Sequence, residues 1–440
     1  MTDASRREWL AAVGSATAVA AAGCVSLEPT ANDGPETDPE MGSGSDSETG
    51  SGSEPTSEQT VPEGVAQFRG SLERWGYYPD ETVPDAVETA WRVPEVNTGT
   101  HSAAKASAVP TPDGGVLLPG DNGYLNAITA DGDIRWRGET DMDGRGIHGT
   151  PAVADGRAYV GAYDGILYAF ELESGGLDWS TKLGGSIGSS PLYREGTLYV
   201  SVEFPDPEGR MFAVDAETGE VTWEEPDHRP TDHPHSSPAV DPDAGYMVCG
   251  SNDGSLYGWS FPDLEFRWRF ATDPGGSNDG EIKGPIATYD GAAFFGSWDH
   301  NVYRVDLETG EEDWRFETGD LSMTGPAIDP ERDTVYMGSH DDHLYALDAA
   351  TGEEEWRFRT GRPLTGCATV TGDRVLTGSK DGNLYALESD SGDEVWRVEH
   401  EGWVTSTPRV VDGAIHYAER APDPENGATD GGGYKLVAAE

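Results

Sequence analysis

LYALDAATGEEEW (344–356) decides the fold, because the chain writes the same phrase again and again. It returns as LYAFELESGGLDW (167–179), MFAVDAETGEVTW (211–223), VYRVDLETGEEDW (302–314) and LYALESDSGDEVW (384–396). LYGWSFPDLEFRW (256–268) keeps the length, and LNAITADGDIRW (125–136) is one residue shorter. The tryptophans that close these phrases are Trp91, Trp136, Trp179, Trp223, Trp268, Trp314, Trp356 and Trp396, spaced 40 to 46 residues apart. That period is the length of one four-stranded propeller blade.

Working outward, each copy parses into four strands. A segment such as SSPAV (236–240) or TGPAI (324–328) opens it, and a β-rich run such as TVYMGS (334–339) follows. A two-residue Asp-Gly turn, as in YDG, NDG and KDG, then leads into the LYALD strand, because Asp-Gly supplies the positive φ angles of tight hairpins. A Thr-Gly or Ser-Gly turn reverses the chain into the strand carrying the Trp. Leu344, Ala346 and Asp348 should face one side of the sheet, with Tyr345 and Leu347 on the other. The glycine four residues before the Trp (Gly132, Gly175, Gly219, Gly310, Gly352, Gly392) leaves a flat patch for an indole. Leu264 holds that slot in the fourth copy, which predicts a differently built turn.

The chain ends fix the blade count. Trp91 sits in a fourth strand that no third strand precedes. TSTPRVVDG, AIHYAE and GYKLVAAE at the other end supply three strands with no Trp after them. Pairing GYKLVAAE with ETAWRV closes the ring and removes two open sheet edges. The expected fold is therefore an all-β, eight-bladed β-propeller of four-stranded antiparallel blades over residues 66–440.

Before it lie an address and a tether. Arg6 and Arg7, then a short, Ala-rich core over residues 10–22, match a twin-arginine export signal spanning 1–23. That core is too short for a membrane-spanning helix. Ala21-Ala22-Gly23-Cys24 resembles a lipobox, which would place lipid on Cys24. Residues 24–65 carry EPTANDGPETDPEMGSGSDSETGSGSEPTSEQ with no basic residue and no aromatic, and should form an extended, self-repelling linker. The expected location is the extracellular face of the cytoplasmic membrane, held by a lipid anchor.

Composition narrows the function classes. Net charge is −52, from 81 acidic against 29 basic residues. Such a coat repels phosphate, so nucleic acid is excluded as a partner. Asp- and Glu-rich, Lys-poor composition resembles proteins of salt-loving archaea, whose counterions screen it. Cys249 and Cys367 read as buried free thiols, and a monomer is expected.

The pattern LYALDxxTGxxxW with SPAVxxGxVYVG resembles the PQQ (pyrroloquinoline quinone) repeat family over residues 66–440. QFRGSLERWGYYP (67–79) is similar to the segment that precedes the first blade in that family. The resemblance invites a quinone-dependent dehydrogenase, whose vicinal Cys pair, calcium site and longer chain find no counterpart here. It is closer to the non-catalytic, BamB-like lipoproteins of the family, which implies an interaction platform for other cell-envelope proteins, with no cofactor and with PQQ disfavoured.

Candidate binding residues cluster on one face. Blade-to-blade loops and Asp-Gly turns share that face, and nine of the ten His fall there. His148, His235, Lys283, Met323, Thr365 and Thr405, each just before a first strand, should crowd the ring axis, joined on the face by Arg145 and Trp403. These offer an extracellular ligand or metal site, the usual use of an axial mouth. DHRPTDHPH (227–235) supplies His228, His233 and His235 as the metal candidates, in a spacing that matches no standard zinc pattern. The turn aspartates (DNG, YDG, NDG, WDH, HDD, KDG) read as hairpin chemistry and not as calcium loops.

Overall fold

A computed structural model of the chain describes residues 64–97, 106–141, 146–272, 280–420 and 431–440. Among them every regular element is a β-strand, and the strands form eight separate sheets. Blade 6 is typical, running Ala327–Asp329, Thr334–Gly338, His343–Asp348 and Glu354–Arg359 from the axis outward, each antiparallel to the last. Its third strand alternates as expected. Leu344 and Ala346 pack with Tyr385 and Leu387 of blade 7, while Tyr345 and Leu347 pack with Val302 of blade 5. The core is thus a chain of apolar layers between neighbouring blades.

The ring closes where the chain ends meet. Strand Val87–Pro94 pairs antiparallel with Gly432–Ala438, which pairs with Ala414–Arg420. Arg409–Val411 completes blade 8 on its inner side. The two half-blades read from the sequence are one sheet.

One turn expectation needs correction. The Asp-Gly hairpins have three-residue loops: Ser251 N–H donates to Ser255 O, and Gly254 N–H to Ser251 O. Only the last loop residue has positive φ, as at Gly165, Gly254 and Gly382, and His300 and Asp342 take that conformation without being glycine. The turn is therefore a type I turn followed by a left-handed residue, and not a two-residue hairpin. On the opposite face Leu264 has φ +56° and the same hydrogen-bond pattern as Gly310. The Phe261–Pro262 peptide within its turn is cis, as in none of the equivalent turns among the described residues, so this turn is built differently, as expected.

Seven of the eight recurring Trp, all but Trp223, donate Nε1–H to a carbonyl of the neighbouring repeat. Trp314 Nε1 donates to Ala349 O of blade 6 at 3.1 Å, and its ring covers Gly352 of the same blade so closely that an added Cβ would stand 2.7 Å from Trp314 Cδ2. Trp136, Trp179, Trp268 and Trp356 make the same bond to the next blade. Trp396 makes it to Pro84 O and carries the series across the ring closure. The indoles are mostly half-buried. Trp314→Ala should accordingly cost ~2–3 kcal/mol, at or below the range for a fully buried Trp. Gly352→Ala, with its φ of +72°, should cost more than ~1 kcal/mol. Chemical denaturation of both variants checks the pair, and an unchanged midpoint for either would refute the docking role.

The segment before blade 1 does something its sequence does not announce. It threads the axis. Ala66 bridges Val153, and the Gln67 side-chain oxygen accepts Tyr193 N–H at 3.0 Å. Leu72, Glu73, Trp75 and Gly76 carbonyls then accept from Val240, Thr288, Ile328 and Val370 at 2.9 to 3.0 Å. Tyr77–Tyr78 ends parallel to Thr369–Thr371. Six successive blades, 2 through 7, are stitched along their inner strands by one leader.

Candidate functional site

At the axis one position recurs in every blade, two residues before the first strand or close to it. Ser107 N–H donates to Thr150 Oγ1, Thr150 N–H to Ser190 Oγ, and Ser190 N–H to Ser237 Oγ, at 2.8 to 2.9 Å. Across the ring Gly325 N–H reaches Cys367 Sγ and Cys367 N–H reaches Thr407 Oγ1. Ser107 Oγ donates to Thr407 O and completes that side. At these joints the later blade offers a hydroxyl or thiol to the N–H of the blade before it. Cys367 is a buried free thiol in this relay, and Cys249 is free and buried too, with its thiol pushed up to about 12 by burial.

The relay is interrupted where Gly284 and Gly325 stand in the recurring position, and a cavity of about 220 Å³ opens beside them. His148, Gly188, His235, Lys283 and Met323 line it from five consecutive blades. Thr150, Ser190 and Ser237 add hydroxyls, and Pro285 an apolar wall. Phe68 of the axial leader also lines it, so the leader supplies part of its wall. Of the six residues expected to crowd the axis, His148, His235, Lys283 and Met323 meet here. Thr365 and Thr405 are buried elsewhere on blades 7 and 8.

Second contacts hold these side chains in place. His235 Nδ1 lies 3.0 Å from the carboxylate of buried Glu203 and 3.4 Å from Tyr163 Oη. His148 packs tilted on the Tyr163 ring at 4.1 Å. Lys283 Nζ sits 3.7 Å above the Trp298 ring and pairs with the Glu281 carboxylate. Sequence reasoning missed Phe68, Tyr163, Glu203 and Trp298. Tyr163 and Trp298 precede the turn aspartate, where other blades place Asn252 or Lys380; an aromatic in that slot was the available signal. Glu203 belongs to a hairpin lengthened in blade 3 (Thr197–Glu203 with Gly209–Asp215), where FPDPE replaces the short turn.

The other expected residues lie apart. Trp403 stands on a short strand, Trp403–Val404, beside Ala414–Arg420, with Lys380 Nζ 5.5 Å from its ring. His228 Nδ1 faces Glu208 at 3.1 Å and His233 Nε2 meets Phe204 O at 2.8 Å, so the three His of DHRPTDHPH go to different partners. Among the described residues no group of three or more His, Cys, Asp or Glu is placed to hold a metal ion. The turn aspartates are committed to the protein: Asp341 accepts from Gly319 N–H, His343 N–H and Tyr345 Oη, and Asp381 from Gly361, Asn383 and Tyr385 likewise. Arg145, Cys24, Arg6 and Arg7 lie outside the described residues.

A second polar cluster sits inside blade 8. His400 bonds Tyr417 Oη at 2.7 Å and faces Glu419 at 3.4 Å. Burial, then Arg92, pulls His400 down to about 4, and burial with Lys435 and Arg409 pulls His416 down to about 3. Both imidazoles are therefore neutral in the fold. Below their ordinary value near 6.5 the unfolded chain takes up protons that the fold refuses, so stability falls as pH drops from about 6.5 toward 4. Burial raises Glu419 and opposes them in sign: that carboxyl disfavours the fold above its ordinary 4.5. Two histidines against one carboxyl should leave a net loss on acidification. His416→Phe should flatten the slope of melting temperature over pH 6.5–4, and an unchanged slope would refute this.

Comparison with known proteins places this geometry. A family profile described as outer membrane protein assembly factor BamB matches residues 85–232, 208–346 and 340–430. BamB of Moranella endobia is 30% identical over 165 residues, 35% of this chain and 39% of that protein, so the match spans well under half of that relative's length. Among solved structures, quinohemoprotein alcohol dehydrogenase from Comamonas testosteroni superposes with a TM-score of 0.69 at 15% identity, covering 85% of this chain and 80% of that one. BamB from Moraxella catarrhalis gives 0.60 at 18% identity, covering 80% and 100%. At those identities the structures share the fold alone. Repeats matched from residue 85 to 430, on a ring of eight blades, make this chain a member of the PQQ-type repeat family described as outer membrane protein assembly factor BamB.

Proposed function

We infer that this propeller is a non-catalytic envelope scaffold that holds another protein through the loops around its axial cavity. The observation that carries the reading is the size and walling of that cavity. At about 220 Å³ it falls below the roughly 300–1,000 Å³ of ordinary cofactor and substrate pockets. Phe68 of the chain's own leader occupies part of its wall. The relatives named as assembly factors support a partner that is a protein, and support placement at a membrane.

The dehydrogenase-like neighbours raise the alternative of bound quinone. A tricyclic tricarboxylate needs several cations and a deep slot. Among the described lining residues Lys283 is the one Lys or Arg, a single cation against three carboxylates. No metal-ligating group stands beside it among the described residues. The residues do not fit that cofactor, and the ligand or metal reading rests on His148 and His235 alone.

Pull-down from native membranes in concentrated salt tests the scaffold reading. Partners should be recovered specifically with the intact chain, and native mass spectrometry should find the domain empty. A stoichiometric quinone or metal ion would overturn it. For the anchor, Cys24→Ser should move the protein from the membrane into the medium, and full membrane retention would refute lipidation.

A further inference from the structure

We propose that the axial cavity captures the free α-carboxylate and apolar side chain of a peptide C-terminus, an assignment that rests on the scaffold reading and gives its partner a chemistry. The wall is free of carboxylates. Among the described residues the lining includes Lys283, His148 and His235 but no Asp or Glu, in a chain with 81 acidic residues. The acids nearby, Glu203 and Glu281, are each engaged by a base of the wall, His235 and Lys283.

That engagement fixes what the bases present. His235 Nδ1 stands 3.0 Å from the Glu203 carboxylate and 3.4 Å from Tyr163 Oη, which leaves Nε2 as the ring's remaining polar atom. Lys283 has three donors and spends one on Glu281, and its stacking on Trp298 locates the ammonium. Hydroxyls of Thr150, Ser190 and Ser237 complete a polar side. Phe68, Pro285, Met323 and the Trp298 ring form an apolar side in the same cavity. An anion with a short apolar group matches both halves.

Size selects the terminus over the interior of a peptide. At about 220 Å³ the cavity is small, matched to a single terminal residue. Capture of a terminal carboxylate is an established mode of peptide recognition. The net charge of −52 does not forbid it. In about 1 M salt the screening length is ~3 Å, so groups in direct contact decide the sign.

Isothermal titration of the full chain in 1 M KCl tests this with two hexapeptides of one sequence ending in leucine, one with a free carboxylate and one amidated, alongside N-acetyl-leucine and its amide. Both acids should bind at least tenfold more tightly than their amides. Lys283→Met should erase the preference by weakening the acids, and Lys283→Arg should retain it, with melting temperatures confirming that both variants fold. Equal binding of acid and amide, no binding of either, or a preference that survives Lys283→Met would overturn the proposal. Binding of N-acetyl-leucine without binding of the free-carboxylate hexapeptide would overturn the peptide terminus as occupant. If membrane partners are still recovered when the carboxylate preference is absent, this inference fails and the scaffold reading stands. If no partner is recovered while the preference is present, the reverse holds.

Discussion

Replacing Arg74 by methionine should lower the stability of the propeller by ~3–5 kcal/mol. Arg69 and Arg74 are among the largest fully buried side chains, and their side-chain hydrogen bonds go to main-chain carbonyls. Arg74 reaches Pro238 O at 3.1 Å, Phe68 O at 2.7 Å, Pro191 O at 3.2 Å and Ser190 O at 3.4 Å. Arg69 reaches Arg74 O, Trp75 O and Ala368 O at 2.6 to 3.3 Å and also meets Pro326 O. Together they gather carbonyls from blades 3, 4, 6 and 7. Burial and the adjacent Arg69 cation pull the Arg74 guanidinium down to about 9, so holding two cations at the axis is costly in itself. Removing one relieves that cost but strands several buried acceptors, each worth roughly 1–3 kcal/mol. The acceptors outnumber the cation, so the loss should dominate. Lysine at 74 should recover little, because one ammonium cannot span the fork of a guanidinium. Equilibrium denaturation of both variants decides it. A loss below ~1 kcal/mol for Arg74→Met would show that the leader is dispensable.

Ending the chain after residue 431 should abolish cooperative folding altogether. Strand Gly432–Ala438 joins Val87–Pro94 to Ala414–Arg420. It also buries Tyr434 and Leu436 in the blade 8 core with Ile415, Tyr417 and Val404. Without it two sheet edges open on opposite sides of one gap. Blades are stabilised by their neighbours, so loss at one seam propagates around the ring. Arg92 also loses its bond to Tyr434 Oη. The truncated chain should be protease-sensitive and lack a sharp melting transition. A transition within a few degrees of the full chain would refute the closure role.

Much of this architecture is legible in the sequence, for a definite reason. Blade number, strand alternation and closure follow from side-chain patterns of period two and of about forty, and Trp314 or Leu344 carries that information in its own identity. The axial approach of His148, His235 and Lys283 follows from the same register. The leader is different. Its partners are main-chain carbonyls and N–H groups of blades up to 299 residues away, and a carbonyl leaves no trace in the sequence. Arg69 and Arg74 looked like two ordinary basic residues. Glu203 was hidden because blade 3 breaks the short-turn pattern, and the left-handed Leu264, His300 and Asp342 show backbone geometry overriding the usual glycine preference.

The axial leader sets the order of synthesis against the order of assembly. Residues 66–78 leave the ribosome before any blade exists, yet their hydrogen-bond partners run through Val153, Val240 and Ile328 to Val370. Strand Val87–Pro94 waits longer still, for Gly432–Ala438. Blades 1 to 7 can form from local hairpins as they emerge, each loop closure being short. The leader can be seated in full only when almost the last blade is in place. Completion of this propeller is therefore an event of the whole chain, and residues made before any blade serve as the record that the later blades have arrived.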